Sequence, residues 1–209
     1  MTSVDGDLLK GIAGQPAATG QPVTIAMNGA AVDASLPASN EHLAWGYFLG
    51  DLAAQANGAI QDHVNLGFWV AGQPVTFAML QTLTGTATYG GGMIGTATQS
   101  GRIATVVGQF AQQWNFATRT GTMNAAFDSA NWNGLALNMP GGANVFTGTG
   151  GSSNIADRTL AVQGNFFHNP ATGGALSAAN LPAAVGGLFA IHNSTGTYGA
   201  NGVLVGARR

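Results

Sequence analysis

From Thr84 to the end of the chain, apolar and polar residues alternate with a period of two between short clusters of Gly, Asn, Asp and Ser. That is the pattern of half-buried strands joined by tight turns. It predicts eight strands, at Thr84–Thr96, Arg102–Phe110, Phe116–Phe127, Trp132–Asn138, Asn144–Gly148, Arg158–Phe167, Gly187–Asn193 and Tyr198–Ala207. Leu135 and Leu137 share one face of their strand with Met139, opposite Gly134 and Asn138. Leu160, Val162, Gly164 and Phe166 share a face opposite Thr159, Gln163 and Asn165, and Val203, Val205 and Ala207 form another row. Eight short strands in up-and-down order with no long helix to cover a flat sheet predict closure into an antiparallel barrel, which buries one face and removes the edges. One break, Ala178–Val185, reads as a short helix.

The N-terminal part is less regular. Residues 1–40 form an irregular segment with one possible strand, Pro22–Met27. Residues 41–83 hold two aromatic strands, Leu43–Leu49 and Val64–Val70, as a hairpin that leads into the barrel at 84–209. Between those strands 51–58 is a loop or one helical turn, and Pro74–Leu80 is a short helix or a further strand. The expected fold class is therefore all-β: an eight-stranded antiparallel up-and-down barrel with a smaller N-terminal hairpin and loop region. Mid-strand Gly108, Gly121, Gly164, Gly187 and Gly206 suit sharp curvature or close packing beneath aromatic rings.

Composition narrows the function. Only 7% of the 209 residues are charged, against roughly 25% in an average soluble domain. Glu41 and Lys10 are the sole residues of their kinds, and the net charge is −2. Six scattered basic residues make no phosphate-binding stripe, which argues against nucleic acid. No run approaches the roughly 18 apolar residues of a membrane helix. There is no cysteine, hence neither disulfide nor thiolate metal site. Few charges with much Gly, Thr and Asn read as an exported bacterial protein at the cell surface, outer membrane or outside the cell. Met1 to Asp5 shows no signal-peptide pattern.

The segment Val185-Gly186-Gly187-Leu188-Phe189, led in by Pro182-Ala183-Ala184 and followed by the strand Tyr198–Arg208, resembles the closing motif of the barrel domain in transferrin-binding-protein-B-like proteins. Gly85-Thr86-Ala87-Thr88-Tyr89 is similar to that family's opening strand. Phe116–Phe127 with Asp128 and Trp132 resembles an internal strand pair, and Trp45-Gly46-Tyr47 with His63–Gly72 resembles a lead-in region. The resemblance spans Leu43 to Arg209 and implies a bacterial surface barrel that binds a protein, haem or another small ligand. Members are commonly Lys-rich, whereas this chain is nearly neutral.

Candidate chemistry is sparse. His42 and His63 flank the aromatic strands carrying Trp45, Tyr47, Phe68 and Trp69, so these six residues are the candidate ligand-binding set. A His or Tyr beside an apolar aromatic slot is what haem requires. Histidines in loops at strand ends explain the same placement without a ligand, and no other cofactor is indicated. His168 and His192 lack metal-motif spacing. Asp51, Asp62, Asp128 and Asp157 sit at turns or strand ends, where capping accounts for them. Gly90-Gly91-Gly92 lacks the Lys and helix of a phosphate loop. The sequence thus predicts a non-enzymatic binding module. The competing expectation is a self-associating subunit of an extracellular fibre, layer or matrix, because low charge weakens self-repulsion.

Overall fold

The computed structural model describes the backbone of residues 2–5, 8–14, 23–27, 43–54 and 62–209, and the side chains of 43–46, 67–169, 171 and 173–209. Within these the chain is almost entirely strand, and it divides into two compact units, Met1–Val32 with Gly46–Trp69, and Asp33–Trp45 with Val70–Arg209.

The first unit is built on a sheet of β1 (Thr2–Asp5), β2 (Leu8–Gly14), β3 (Val23–Met27), β4 (Leu43–Ala54) and β5 (Asp62–Gly72), in that order. The Pro22–Met27 expectation corresponds to β3, and the two aromatic strands to β4 and β5. Strands β1 and β2 were not expected from the sequence. Leu8-Leu9-Lys10-Gly11-Ile12 mixes period-two and continuous apolar signals, and its partner β3 lies beyond a Gly/Pro-rich stretch that hides the pairing.

The second unit is the barrel. Its strands are β6 (Thr86–Gln99), β7 (Arg102–Asn115), β8 (Thr120–Phe127), β9 (Ala130–Asn138), β10 (Val145–Gly151), β11 (Arg158–Phe167), β12 (Ala184–Asn193) and β13 (Tyr198–Arg208). All eight form one closed antiparallel sheet in which each strand pairs with its sequence neighbours and β13 returns to β6. That closing pair is long, from Tyr198 opposite Gln99 to Arg208 opposite Tyr89. The β9–β10 seam is short, with only Thr147 opposite Asn138 and Gly148 opposite Leu137.

Every expected barrel strand has its counterpart, with shifted ends. Strand β8 starts at Thr120 because the Asn115 side chain accepts hydrogen bonds from the backbone N–H groups of Ala117 and Thr118 (3.0 and 3.3 Å), making an Asx turn that 116–119 must complete. Pro74–Leu80 resolves into a bridge at Pro74 and a one-turn helix, α1 (Phe77–Leu80), capped by Thr76. The helix expected over Ala178–Val185 is absent. A turn closed by Ser177 and Asn180 stands there, and Ala184 already belongs to β12. Leu181 precedes a proline, which disfavours helical backbone. The carbonyls of Leu181 and Pro182 instead accept from the Arg208 guanidinium and the Tyr89 hydroxyl. The one-turn helix of this region is α2 (Pro170–Gly173), upstream.

The barrel interior is a packed aromatic core. Phe166 is its hub, with ring centroids 5.1 to 5.4 Å from Phe116, Trp114, Tyr89 and Phe146. Burying each such ring contributes roughly 1.5–3 kcal/mol. The inward glycines make room for these rings. Along one row across the wall Phe189 faces Gly202, which faces Gly95. Along another, Phe110 faces Gly91, which faces Gly206, and along a third Phe146 faces Gly164, which faces Gly187. A Cβ at Gly95, Gly206 or Gly164 would lie 2.5 to 2.8 Å from the tip of the ring in its own row.

The Val203–Val205 row faces outward, not into the core. Val203 lies opposite Ile94, while Leu204, opposite Met93, points inward. Val203, Val205 and Ile94 are nevertheless buried, as are Phe167, Ala184 and Leu43. Leu43 and Val70 lie over Gly186, where a Cβ would come within 3.0 Å of either. The barrel therefore carries a second apolar layer on the outer face of β11–β13 and β6.

Candidate functional site

The residues singled out by sequence divide sharply. Trp45 is buried on β4, while Phe68 and Trp69 are half-buried on β5. The Trp69 ring lies flat against Gly46, where a Cβ would sit 2.6 Å from it, so the glycine two positions before Phe48 exists to receive an indole. His42 lies outside the described residues. Tyr47 and His63 are on β4 and β5, with side chains outside them.

The remaining histidines have structural surroundings. His168 is buried, packs on Gly173 and contacts the Gly174 carbonyl at 2.7 Å, which fixes the loop after β11. His192 is exposed on β12. Among the described residues no three His, Cys, Asp or Glu side chains gather as a metal set.

One barrel end is closed by a charged cluster. The Arg158 guanidinium lies 3.7 Å from the Tyr198 ring centroid and donates to the Asp128 carbonyl at 2.8 Å, with the Asp128 carboxylate 3.7 Å away. Burial, reinforced by Asp128, pushes the Tyr198 phenol well above its ordinary value, and burial does the same to Tyr89 against the pull of Arg208. Burial therefore disfavours the ionised form of both phenols. At the same end the loop after β10 is tied to β9. Asn154 accepts from the Asn131 N–H at 2.7 Å, and the Ser153 hydroxyl accepts from the Asn133 N–H at 3.1 Å.

Among the described residues, a concave feature that sequence reasoning missed lies on the outer wall of β7–β9. An open groove of about 300 Å³ has Ala111 and Ala126 on its floor and Gln109, Asn124, Asn131, Asn133 and Arg209 around it. A bulge lies at its edge. Met123 pairs with Leu135 and Ala125 with Trp132, so Asn124 opposes both Asn133 and Gly134. Gly134 takes a left-handed φ of +68°, and its freed N–H donates to Asn124 Oδ1 at 2.7 Å. The Asn133-Gly134 dipeptide was the available signal, masked because it sits mid-strand and not at a hairpin turn.

No protein-family model and no curated protein sequence matches this chain. Solved structures do. Transferrin binding protein B from Haemophilus parasuis Hp5, as a Trp-to-Ala mutant, superimposes with a TM-score of 0.50 at 14% identity, over 95% of this chain and 37% of that one. The same protein from Actinobacillus pleuropneumoniae H49, as a Phe-to-Ala mutant, gives 0.52 at 13% identity, over 88% of this chain and 81% of that one. The fold is that of transferrin binding protein B. A surface lipoprotein gives 0.51 at 13% identity, covering 86% and 79% of the two chains. The chain spans little more than a third of the Haemophilus transferrin binding protein B. No described helix is long and apolar enough to cross a membrane.

Proposed function

We propose that the protein is a non-enzymatic binding module displayed at a bacterial surface or secreted, recognising a partner through the barrel's outer wall, its loops and the N-terminal sheet. The packed barrel core carries this reading. With Phe166 and its neighbours filling the interior, ligand contact falls to the outside of the scaffold. The shared fold supports it, since proteins with this architecture include surface lipoproteins and transferrin-binding proteins. Candidate partners are a host protein of the transferrin kind, or haem held by the aromatic lead-in of Trp45, Tyr47, Phe68 and Trp69 with His42 and His63.

Surface plasmon resonance with the immobilised protein against purified transferrin and other serum proteins tests the protein branch. Saturable binding by a folded monomer is expected. Haemin titration tests the other branch: a Soret shift that His42→Ala and His63→Ala abolish supports it, and an unchanged spectrum ends it. Absence of any binding, together with large assemblies in light scattering, would replace the module with a self-assembling structural subunit.

A further inference from the structure

We propose that the groove over β7–β9 is a binding site for a short saccharide bearing a carboxylate; this deepens the binding-module reading and rests on it. The polar side chains around the groove are exposed and mostly make no hydrogen bond to the protein. Asn124 uses its carbonyl oxygen on Gly134, which leaves its NH2 facing outward. The side chains of Gln109, Asn131 and Asn133 and the guanidinium of Arg209 make no hydrogen bond to any described residue, although the backbones of Asn131, Asn133 and Arg209 are all engaged. Backbone pairing holds the array in place while its polar heads remain available.

The chemistry of those heads selects the ligand. A carboxamide offers donor and acceptor side by side, which matches a hydroxyl that is both. Four amides around an alanine floor suit a ring edged with hydroxyls. Arg209 is the one charged side chain, no lining side chain is acidic, and a guanidinium fork pairs best with a carboxylate. Other ligands fit worse. A peptide strand would need a run of unpaired main chain, whereas β7 and β8 are paired along both edges and the Asn131 and Asn133 N–H groups of β9 are taken by Asn154 and Ser153. A nucleic acid would need several cations and a stacking platform. Haem would need an apolar slot. The volume, near the lower limit of about 300–1,000 Å³ for small-molecule sites, suits one or two sugar rings.

The test is an NMR titration of the full chain, labelled with ¹⁵N, using methyl glucuronide and the neutral methyl glucoside as probes. Saturable shifts are expected in the side-chain NH2 signals of Gln109, Asn131 and Asn133, with the glucuronide binding about fivefold more tightly than the glucoside. Arg209→Ala should erase that preference, and Asn133→Ala should weaken both sugars. Unsaturable shifts, shifts elsewhere on the barrel, or a preference that survives Arg209→Ala would overturn the assignment. The same variants are then carried to the protein-partner assay. If partner capture persists without sugar binding, this inference alone fails; if both are lost from the unmodified chain, the module reading fails with it.

Discussion

Gly134 shows how much one residue can determine. Its φ of +68° completes the bulge beside the groove, and a Cβ there would meet nothing within 4 Å. The cost of Gly134→Ala is therefore conformational and not steric, and a loss of about 1 kcal/mol is expected in the urea midpoint. Arg158 is a second such residue. It stacks on Tyr198 and hydrogen-bonds Asp128, so Arg158→Ala should cost about 1–3 kcal/mol by chemical denaturation, and Arg158→Lys should recover little because the planar stack is lost. Asp157 is exposed, and Ser194, through its hydroxyl and its N–H (3.1 Å), holds the carboxylate below its ordinary value. A lowered folded-state pKa gives stability that is present above the unfolded value and lost as pH falls through the folded one. Asp157→Asn should lower the melting temperature slightly at neutral pH, and the difference from the unmodified chain should shrink away as pH falls below about 4, which flattens the acid side of the profile.

At the scale of elements the strands were legible and their partners less so. The period-two runs located all eight barrel strands because many inner-face aromatics, such as Phe110, Trp114 and Trp132, have Gln, Asn or Ala as their outer neighbours. Gly108, Gly121, Gly164 and Gly206 do lie beneath aromatic rings, as their mid-strand positions suggested. The Ala178–Val185 helix failed because local helix propensity was overruled by β12 pairing, which reaches back to Ala184 opposite Phe167 and Ala207. The outward Val203–Val205 row was misleading for a related reason: a period of two reports that a face is buried, not which one. The groove left almost no trace, since a bulge depends on register between strands and register is invisible in one strand alone. Register also sets local stability. With only two paired positions across β9–β10, against a long ladder across β13–β6, amides at the seam should exchange with deuterium faster than those of β13, as exchange mass spectrometry would show.

For the molecule as a whole, the aromatic core has a consequence at alkaline pH. Tyr89 and Tyr198 are buried neutral, with folded-state values raised above that of a free phenol. Their contribution to stability is complete below about pH 10 and is lost as pH rises from there toward the folded values, because the unfolded chain ionises first. Absorbance at alkaline pH should show these two phenols ionising only together with unfolding, while stability at neutral pH is insensitive to them. The Phe-Gly-Gly rows reach further. Wall and filling are shared between strands, so the identity of an inner residue is set jointly with residues one and two strands away. A library randomised at Phe189, Gly202 and Gly95 would return correlated triplets, whereas one randomised at Gln109, Asn131 and Asn133 would return independent choices. On the proposed reading, ligand preference drifts freely over the exposed wall of β7–β9 while the barrel beneath it changes only in concert.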